Sequence, residues 1–371
     1  MTDKRIYQIG LTMINGVGDI LARHLLQYFG DAEAVFTEKK QLLEKVPGIG
    51  ESTAAAIRQP GLLARAEKEL AFVEANHIST FFLTDEAYPT RLRECPDAPV
   101  LFYFKGNANL QARHILSIVG TRSITPYGKE LTDVLIRDLA AVFPDLLIVS
   151  GLAYGVDVQA HRRALANQLP TVGVLAHGLD RIYPPVHRST AVEMLKQGGL
   201  LTDFPSGTNP DKPNFLKRNR LIAGLADATV VVESAERGGS LVTADLALSY
   251  GREVYTFPGR TGDIRSKGCN ELIRRNKAGL ITSAANLIES LNWALPKKTP
   301  PSNEEPQLPF NNAEETHPVL KLFHEKKEVQ IDLLAVELGL PVQQLSSILF
   351  ELEMDGKIKS LPGGIYRIIG D

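Results

Sequence analysis

The sequence of 371 residues predicts an α/β protein built on a doubly wound, Rossmann-like parallel sheet. Three observations carry that expectation. From Ser79 to about Thr282, short β-branched apolar runs alternate with helix-period segments, the pattern of βαβ units. Most of these runs are continuously apolar, as strands covered on both faces are. Two of them end in glycine turns, Gly120-Thr-Arg122 and Gly151-Leu-Ala-Tyr-Gly155, placed where the crevice at the carboxyl ends of parallel strands takes its ligands.

The chain divides by composition into a helical domain over 1–78, the α/β domain over 79–295, a flexible linker over 296–316 and a winged helix over 317–371. Residues from about 5 to 75 contain a weak repeat, Met13-Ile-Asn-Gly16-Val-Gly18 and Lys45-Val-Pro-Gly48-Ile-Gly50, each opening a helix. Both turns resemble the hairpin of a helix-hairpin-helix, or SAM-like, module that can hold phosphate on backbone N–H groups. Asp19 and Glu51 follow the glycines directly, and a carboxylate there takes the helix dipole for itself and repels phosphate. Packing or protein contact is therefore favoured over DNA contact.

In the α/β domain the expected strands are Thr80–Leu83, Val100–Phe104, Ile115–Val119, Leu146–Val149, Thr171–Leu175, Leu200–Thr202, Thr229–Val232 and Glu253–Thr256. Tyr127–Ala141, Val156–Ala166 and Leu241–Tyr250 are helices between them. The proline-, asparagine- and glutamate-rich stretch after Pro296 has no apolar period and reads as linker. Beyond it Val319–Phe323, Ile331–Leu338 and Val342–Met354 are helical, and Gly339-Leu-Pro341 turns the second into the third. Ile358 and Ile365–Ile369 supply a wing. The last helix offers Gln343, Gln344, Ser346 and Ser347 to bases, yet Glu351, Glu353 and Asp355 follow with no Lys or Arg, so protein contact is favoured here too.

Net charge is −2, so any polyanion partner must be sought in local clusters. The segment Lys212-Pro-Asn-Phe215-Leu-Lys217-Arg218-Asn-Arg220 places four cations and an aromatic within nine residues. A single-strand groove needs that pairing, cations for the backbone and a ring for a base, although a solvated basic turn over a buried Phe215 would look the same. Two further segments favour the groove. Arg265-Ser-Lys267 with Arg274, Arg275 and Lys277 is a second basic cluster, and Gly238-Gly239-Ser240 opens a helix as a generic phosphate cradle. If the sheet is doubly wound, these loops, with Gly120, Arg122 and Gly151, converge on one edge.

Other chemistries fit less well. No Gly-x-x-x-x-Gly-Lys-Ser/Thr loop is present, and the Gly151…Gly155 turn lacks dinucleotide spacing. The eight histidines show no ligand pairing, so no metal is expected, and no nucleophile can be assigned to Asp157 and His161; no cofactor or catalytic residue is expected either. Asp157 is expected to cap its helix or bind backbone in the glycine turn, and His161 and His187 to be surface or hydrogen-bonded residues. The two cysteines, Cys95 and Cys269, read as reduced thiols of a cytoplasmic protein. No run approaches the roughly 18 apolar residues of a membrane helix, and the N-terminus lacks the apolar core of a signal peptide.

Five separated motifs together closely resemble the DNA-processing family called DprA or Smf. They are Gly120-Thr-Arg122, Ser150-Gly-Leu-Ala-Tyr-Gly-Val-Asp157, Gly178-Leu-Asp-Arg-Ile-Tyr-Pro184, Phe215…Arg218-Asn-Arg220 and Gly238-Gly-Ser-Leu-Val-Thr-Ala244. The resemblance covers about residues 80–290. It implies a Rossmann-like domain that dimerises, binds single-stranded DNA and loads RecA recombinase onto it during natural transformation. It assigns DNA contact to Arg122, Lys212, Phe215, Arg218 and Arg220, alongside Gly120, Gly151, Lys217, Gly239, Ser240, Lys267 and Arg274 from the residue reading. His187 stands where the family usually has asparagine. The rival is a nucleotide enzyme like the lysine-decarboxylase-like phosphoribohydrolases, but Thr243 stands where that motif needs its catalytic glutamate.

Overall fold

The computed structural model describes residues 3–295 and, with gaps, 319–368. These fall into two compact units, Met1–Lys297 and Lys298–Asp371. The expected linker over 296–316 lies outside the described residues.

The first unit begins with six helices: α1 (Lys4–Thr12), α2 (Asp19–Phe29), α3 (Ala32–Thr37), α4 (Lys40–Leu43), α5 (Glu51–Ile57) and α6 (Leu62–Ala75). Gly18 and Gly50 precede α2 and α5, as the repeated turns require. The chain then alternates: β1 (Ser79–Phe82), α7 (Thr90–Arg93), β2 (Leu101–Gly106), β3 (Ile115–Val119), α8 (Pro126–Val142), β4 (Leu147–Ser150), α9 (Val156–Ala166), β5 (Thr171–Val174), α10 (Arg188–Lys196), β6 (Gly198–Thr202), α11 (Lys212–Leu225), β7 (Ala228–Val231), α12 (Gly239–Ser249), β8 (Glu253–Thr256), α13 (Lys267–Arg274), β9 (Gly279–Leu280) and α14 (Ala284–Ser290).

All nine strands form one sheet in the order β1-β2-β6-β5-β4-β3-β7-β8-β9. Seven neighbouring strands pair in parallel, and at one edge β2 pairs antiparallel with β6 and β1 antiparallel with β2. From β3 the chain winds outward through β4, β5 and β6, then returns to lay β7 on the other side of β3. The crevice between the carboxyl ends of β3 and β7 is therefore the switch point, where doubly wound sheets bind ligands.

Both faces are covered, which explains the unbroken apolar runs. In β3, Ile115 and Val119 pack with Leu221, Ile222 and Leu225 of α11 and Ala244 and Ala247 of α12. The intervening Leu116 and Ile118 pack with Leu135, Ile136 and Leu139 of α8 and Val156, Ala160 and Ala164 of α9. The period of two sends successive side chains to opposite helical layers. The core of the N-terminal helices continues into the antiparallel edge, where Phe82, Val100, Leu101 and Tyr103 pack with Leu11, Leu25, Leu43 and Val73.

The second unit contains β10 (Glu328–Gln330), α15 (Ile331–Leu338), α16 (Val342–Met354), β11 (Ile358–Leu361) and β12 (Ile365–Ile368), with a three-stranded sheet in the order β10-β12-β11. The two helices and the wing agree with the sequence reading; β10, only three residues long, was not anticipated. Leu334, Leu345, Leu349, Leu352 and Ile358 form its core with Val319 and Phe323. Residues 320 and 321 of the expected Val319–Phe323 helix lie outside the described residues, and Val319, Leu322 and Phe323 are helical. Among those described, no single helix is long and apolar enough to cross a membrane.

A candidate nucleic-acid pocket at the switch point

The two glycine turns interlock at the switch point. Gly155 has φ +79°, and a Cβ there would lie 2.1 Å from the Thr121 carbonyl oxygen. A Cβ on Gly120 would meet Val156 Cγ2 at 2.5 Å. The close approach lets the Val156 N–H donate to the Thr121 carbonyl at 3.1 Å, while the Thr121 N–H donates to the Glu233 carbonyl at 2.8 Å. Arg122 is thereby set on a short, braced turn, with its side chain exposed.

A cavity of about 580 Å³ opens above this turn. Its walls come from the β3 turn (Gly120, Arg122), α11 (Lys212, Phe215, Arg218, Asn219) and the start of α12 (Gly239, Ser240). Seven of the twelve residues singled out from the sequence thus line one space: Gly120, Arg122, Lys212, Phe215, Arg218, Gly239 and Ser240. Phe215 is half-buried at the wall, with the Arg122 guanidinium carbon 5.2 Å from its ring centroid. Tyr183, which sequence reasoning did not assign, meets the same ring edge-on at 6.0 Å and 60°. Its position in the Gly178–Pro184 motif, in the loop that follows parallel strand β5, was the signal for it.

Gly239 contributes open space. A Cβ there would meet no atom within 4 Å, so internal packing does not demand glycine. What glycine does is leave the first N–H groups of α12 open to an approaching anion. Ser240 beside it is buried and donates its hydroxyl to Ser234 Oγ at 2.9 Å.

Two arginines differ from their expected role as phosphate contacts. Arg218 is 3% exposed, and its Nη1 donates to the Gly151 carbonyl at 2.6 Å and to the Val174 carbonyl. Burial lowers its pKa to about 10, against the stabilising charge of Asp157. It forms the pocket floor and joins the carboxyl ends of β4 and β5. Arg220 is 7% exposed and ion-paired to Asp203 at 2.5 Å and to Asp19 at 2.9 Å. Its charge is spent between the sheet and the N-terminal helices, so it is not available to a phosphate.

The rest of the expected set stands apart from the cavity lining. Gly151 lies beneath the floor, where a Cβ would come within 2.6 Å of both Arg218 Nη1 and Asp157 Oδ2. Lys217 is exposed and places its ammonium 5.4 Å from the Phe204 ring centroid. Arg274 is held by Glu271 at 2.6 Å, and Lys267 is exposed at the start of α13. From the second basic cluster only Arg265 reaches the β3 turn, donating to Thr121 Oγ1 at 3.4 Å. The cluster is therefore not one cationic arm of the pocket: Glu271 of α13 takes up the charges of Arg274 and Arg275, and Asp245 of α12 pairs with Lys277.

The buried polar groups behind the floor have local partners. Burial pushes the Asp157 carboxyl up, while Arg218, the backbone of Ala153 and Gly151 and the Ser150 hydroxyl pull it down, in line with the backbone-binding expectation. His161 and His187 are buried rather than at the surface. His161 Nδ1 lies 2.7 Å from Thr171 Oγ1, and His187 Nδ1 lies 2.9 Å from the Leu152 carbonyl. Burial, with the Arg218 and His187 charges, lowers the His161 pKa to about 3. Both cysteines are free and buried.

A doubly wound sheet with a cation, an aromatic ring and an open helix N-terminus at its switch point defines an α/β protein suited to an aromatic anionic ligand. The chain belongs to the DNA recombination-mediator protein A family, which residues 79–292 match. Residues 9–59 match a SAM-like helix-hairpin-helix tandem, and residues 299–364 match the DprA winged helix domain. Protein Smf of Escherichia coli is 34% identical over 311 residues, covering 81% of this chain and 80% of that protein. The DNA processing protein DprA of Streptococcus pneumoniae is 36% identical over 220 residues, covering 59% of this chain and 77% of that protein. Its X-ray structure superposes with a TM-score of 0.63 at 30% identity, over 78% of this chain and 98% of that one. DNA processing protein A from Helicobacter pylori, whose structure is described for its single-stranded DNA binding mode, aligns with a TM-score of 0.52 at 32% identity, over 58% of this chain and 95% of that one.

Proposed function

We propose that this chain binds single-stranded DNA across the switch-point pocket and presents it to RecA recombinase during uptake or recombination of DNA. The observation that carries the reading is the pairing of Phe215 with Arg122, a ring and a cation 5.2 Å apart at the mouth of an open crevice. A base stacks on the ring while its phosphates meet Arg122, Lys212 and the N–H groups at the start of α12. Duplex DNA keeps its bases stacked internally and has none to offer Phe215. The single-strand binding described for the Helicobacter pylori relative supports the same reading. The family's description as a DNA recombination mediator supports a role in handing DNA to a recombinase, which the reading takes to be RecA.

The flanking domains are read as protein-contact modules of a cytoplasmic homodimer. Asp19, directly after the first glycine hairpin, is turned inward onto Arg220 rather than toward solvent. On the winged helix the apolar side chains of Val336, Phe350 and Met354 are 82%, 64% and 74% exposed, which suits protein contact better than phosphate. The experiment is a fluorescence-anisotropy titration of the full chain with labelled oligo-dT and with a duplex of equal length. Preference for the single strand is expected. Equal affinity for both, or release of ribose phosphate from nucleoside monophosphates by the purified chain, overturns the reading.

A further inference from the structure

The segment that carries Lys212 and Phe215 is held at both ends by the N-terminal helices. After β6 the chain runs through Asp203-Phe-Pro-Ser206-Gly-Thr-Asn-Pro-Asp211 into α11. Glu69 of α6 is 1% exposed and accepts from the Ser206 N–H at 2.8 Å and the Ser206 hydroxyl at 2.5 Å. Arg65, one turn earlier, pairs with Glu69 at 3.0 Å and donates to the Ser206 carbonyl at 2.7 Å. All three polar groups of Ser206 are therefore engaged by α6. At the other end Arg220 joins Asp203 and Asp19, and Asp19 also accepts from the Val100 N–H at 3.1 Å.

Phe204 is buried at the start of the loop, and beyond Ser206 the ties to other segments are few. Asp180 accepts from the Gly207 N–H at 3.0 Å, and Arg181 reaches Asn209 at 2.7 Å, both in exposed positions. Exposed contacts of this kind are weak, whereas a buried carboxylate keeps its partners because solvent cannot replace them. The N-terminal helices themselves are docked independently, through the apolar core they share with β1 and β2. Loss of the polar clamps would free the loop without undocking the helices.

We propose that Asp19, Arg65 and Glu69 are positioning residues for the pocket. The N-terminal helices hold residues 206–220 in the shape that places Lys212 and Phe215 opposite Arg122. This rests on the single-strand reading above for its ligand, but not for its mechanics. A pocket whose competent form is populated to a fraction f binds with an affinity reduced by that fraction. The clamps keep f near one, and by reciprocity a partner that shifts the N-terminal helices shifts DNA affinity.

The test uses the full chain with Glu69→Gln, Asp19→Asn and, should either fail to fold, Ser206→Ala. Oligo-dT affinity is measured over a salt series, and hydrogen exchange over residues 203–217 is measured without DNA. The expected result is about a three- to tenfold weaker affinity with faster exchange in that segment, as the competent fraction falls. The log–log salt slope should match the wild type, because no phosphate contact is removed. In a Lys212→Ala, Phe215→Ala background the Glu69→Gln effect should shrink, a non-additivity that general destabilisation does not produce. Folded variants with wild-type exchange overturn the proposal, and so does a loss of affinity that is fully additive with the pocket substitutions. If the wild type itself ignores oligo-dT, the functional reading fails while the exchange measurement still decides the clamp.

Discussion

Replacing Phe215 with alanine removes the one half-buried ring that shares the pocket wall with Arg122. Stacking of a base on such a ring is worth roughly 1–3 kcal/mol. Part of the ring is already engaged, with Tyr183 against it at 6.0 Å and the Arg122 guanidinium 5.2 Å from its centroid. The lower half of that range, roughly 1–2 kcal/mol, is therefore expected, a loss of about 5- to 30-fold in affinity. The fold should survive, because the helix is anchored by Leu221, Ile222 and Leu225, which are 0%, 1% and 1% exposed. The assay is anisotropy with labelled oligo-dT at several salt concentrations, with thermal unfolding as the control for folding. The ring has no charge, so the salt slope should stay at the wild-type value while the whole line drops. Phe215→Leu, which keeps apolar volume but not the flat face, should recover only a minor part. A folded Phe215→Ala protein that binds within twofold of wild type would refute the stacking argument.

Arg122→Ala should weaken binding and also lower the log–log salt slope by about 0.7, the value for one single-strand phosphate contact; an unchanged slope would show that Arg122 meets no phosphate. Truncation after Pro300 removes only the second compact unit and should leave oligo-dT affinity within about twofold; a large loss would make the winged helix a DNA contact. His161, neutral and buried with its pKa lowered to about 3, takes up a proton more readily in the unfolded chain, where it titrates near 6.5. Its contribution is complete above about pH 6.5 and declines as pH falls toward 3, by about 2 kcal/mol at pH 5. Urea unfolding of wild type and His161→Gln at both pH values should differ in pH dependence by about that amount, and parallel behaviour would contradict the burial argument.

The strands from Ile115–Val119 to Glu253–Thr256 were readable because each is a short apolar run whose neighbours in the chain are helices. The switch-point residues were readable for the same reason, since loops that follow parallel strands gather at one edge whatever their contents. The reversed direction of β2, which pairs antiparallel with both β1 and β6, was not, because a buried strand shows the same run in either direction. Tyr183 was passed over because its partner Phe215 lies thirty-two residues away, across two elements.

Sequence alone determined the alternation of elements and the positions of the glycine turns, set by local periodicity and backbone freedom. From a doubly wound sheet it implied that the loops bearing Arg122 and Gly239 converge on one edge; that the glycine turns interlock was seen only in the structure. Which cations remain free was decided only by the tertiary structure. Arg122, Arg218 and Arg220 look equivalent as letters, yet one faces the crevice, one is buried beneath it among carbonyls, and one is neutralised by Asp203 and Asp19. The charge a ligand meets depends on the carboxylates and carbonyls that folding brings within a few ångströms. Those partners lie up to two hundred and one residues away in the chain, beyond the reach of any local pattern.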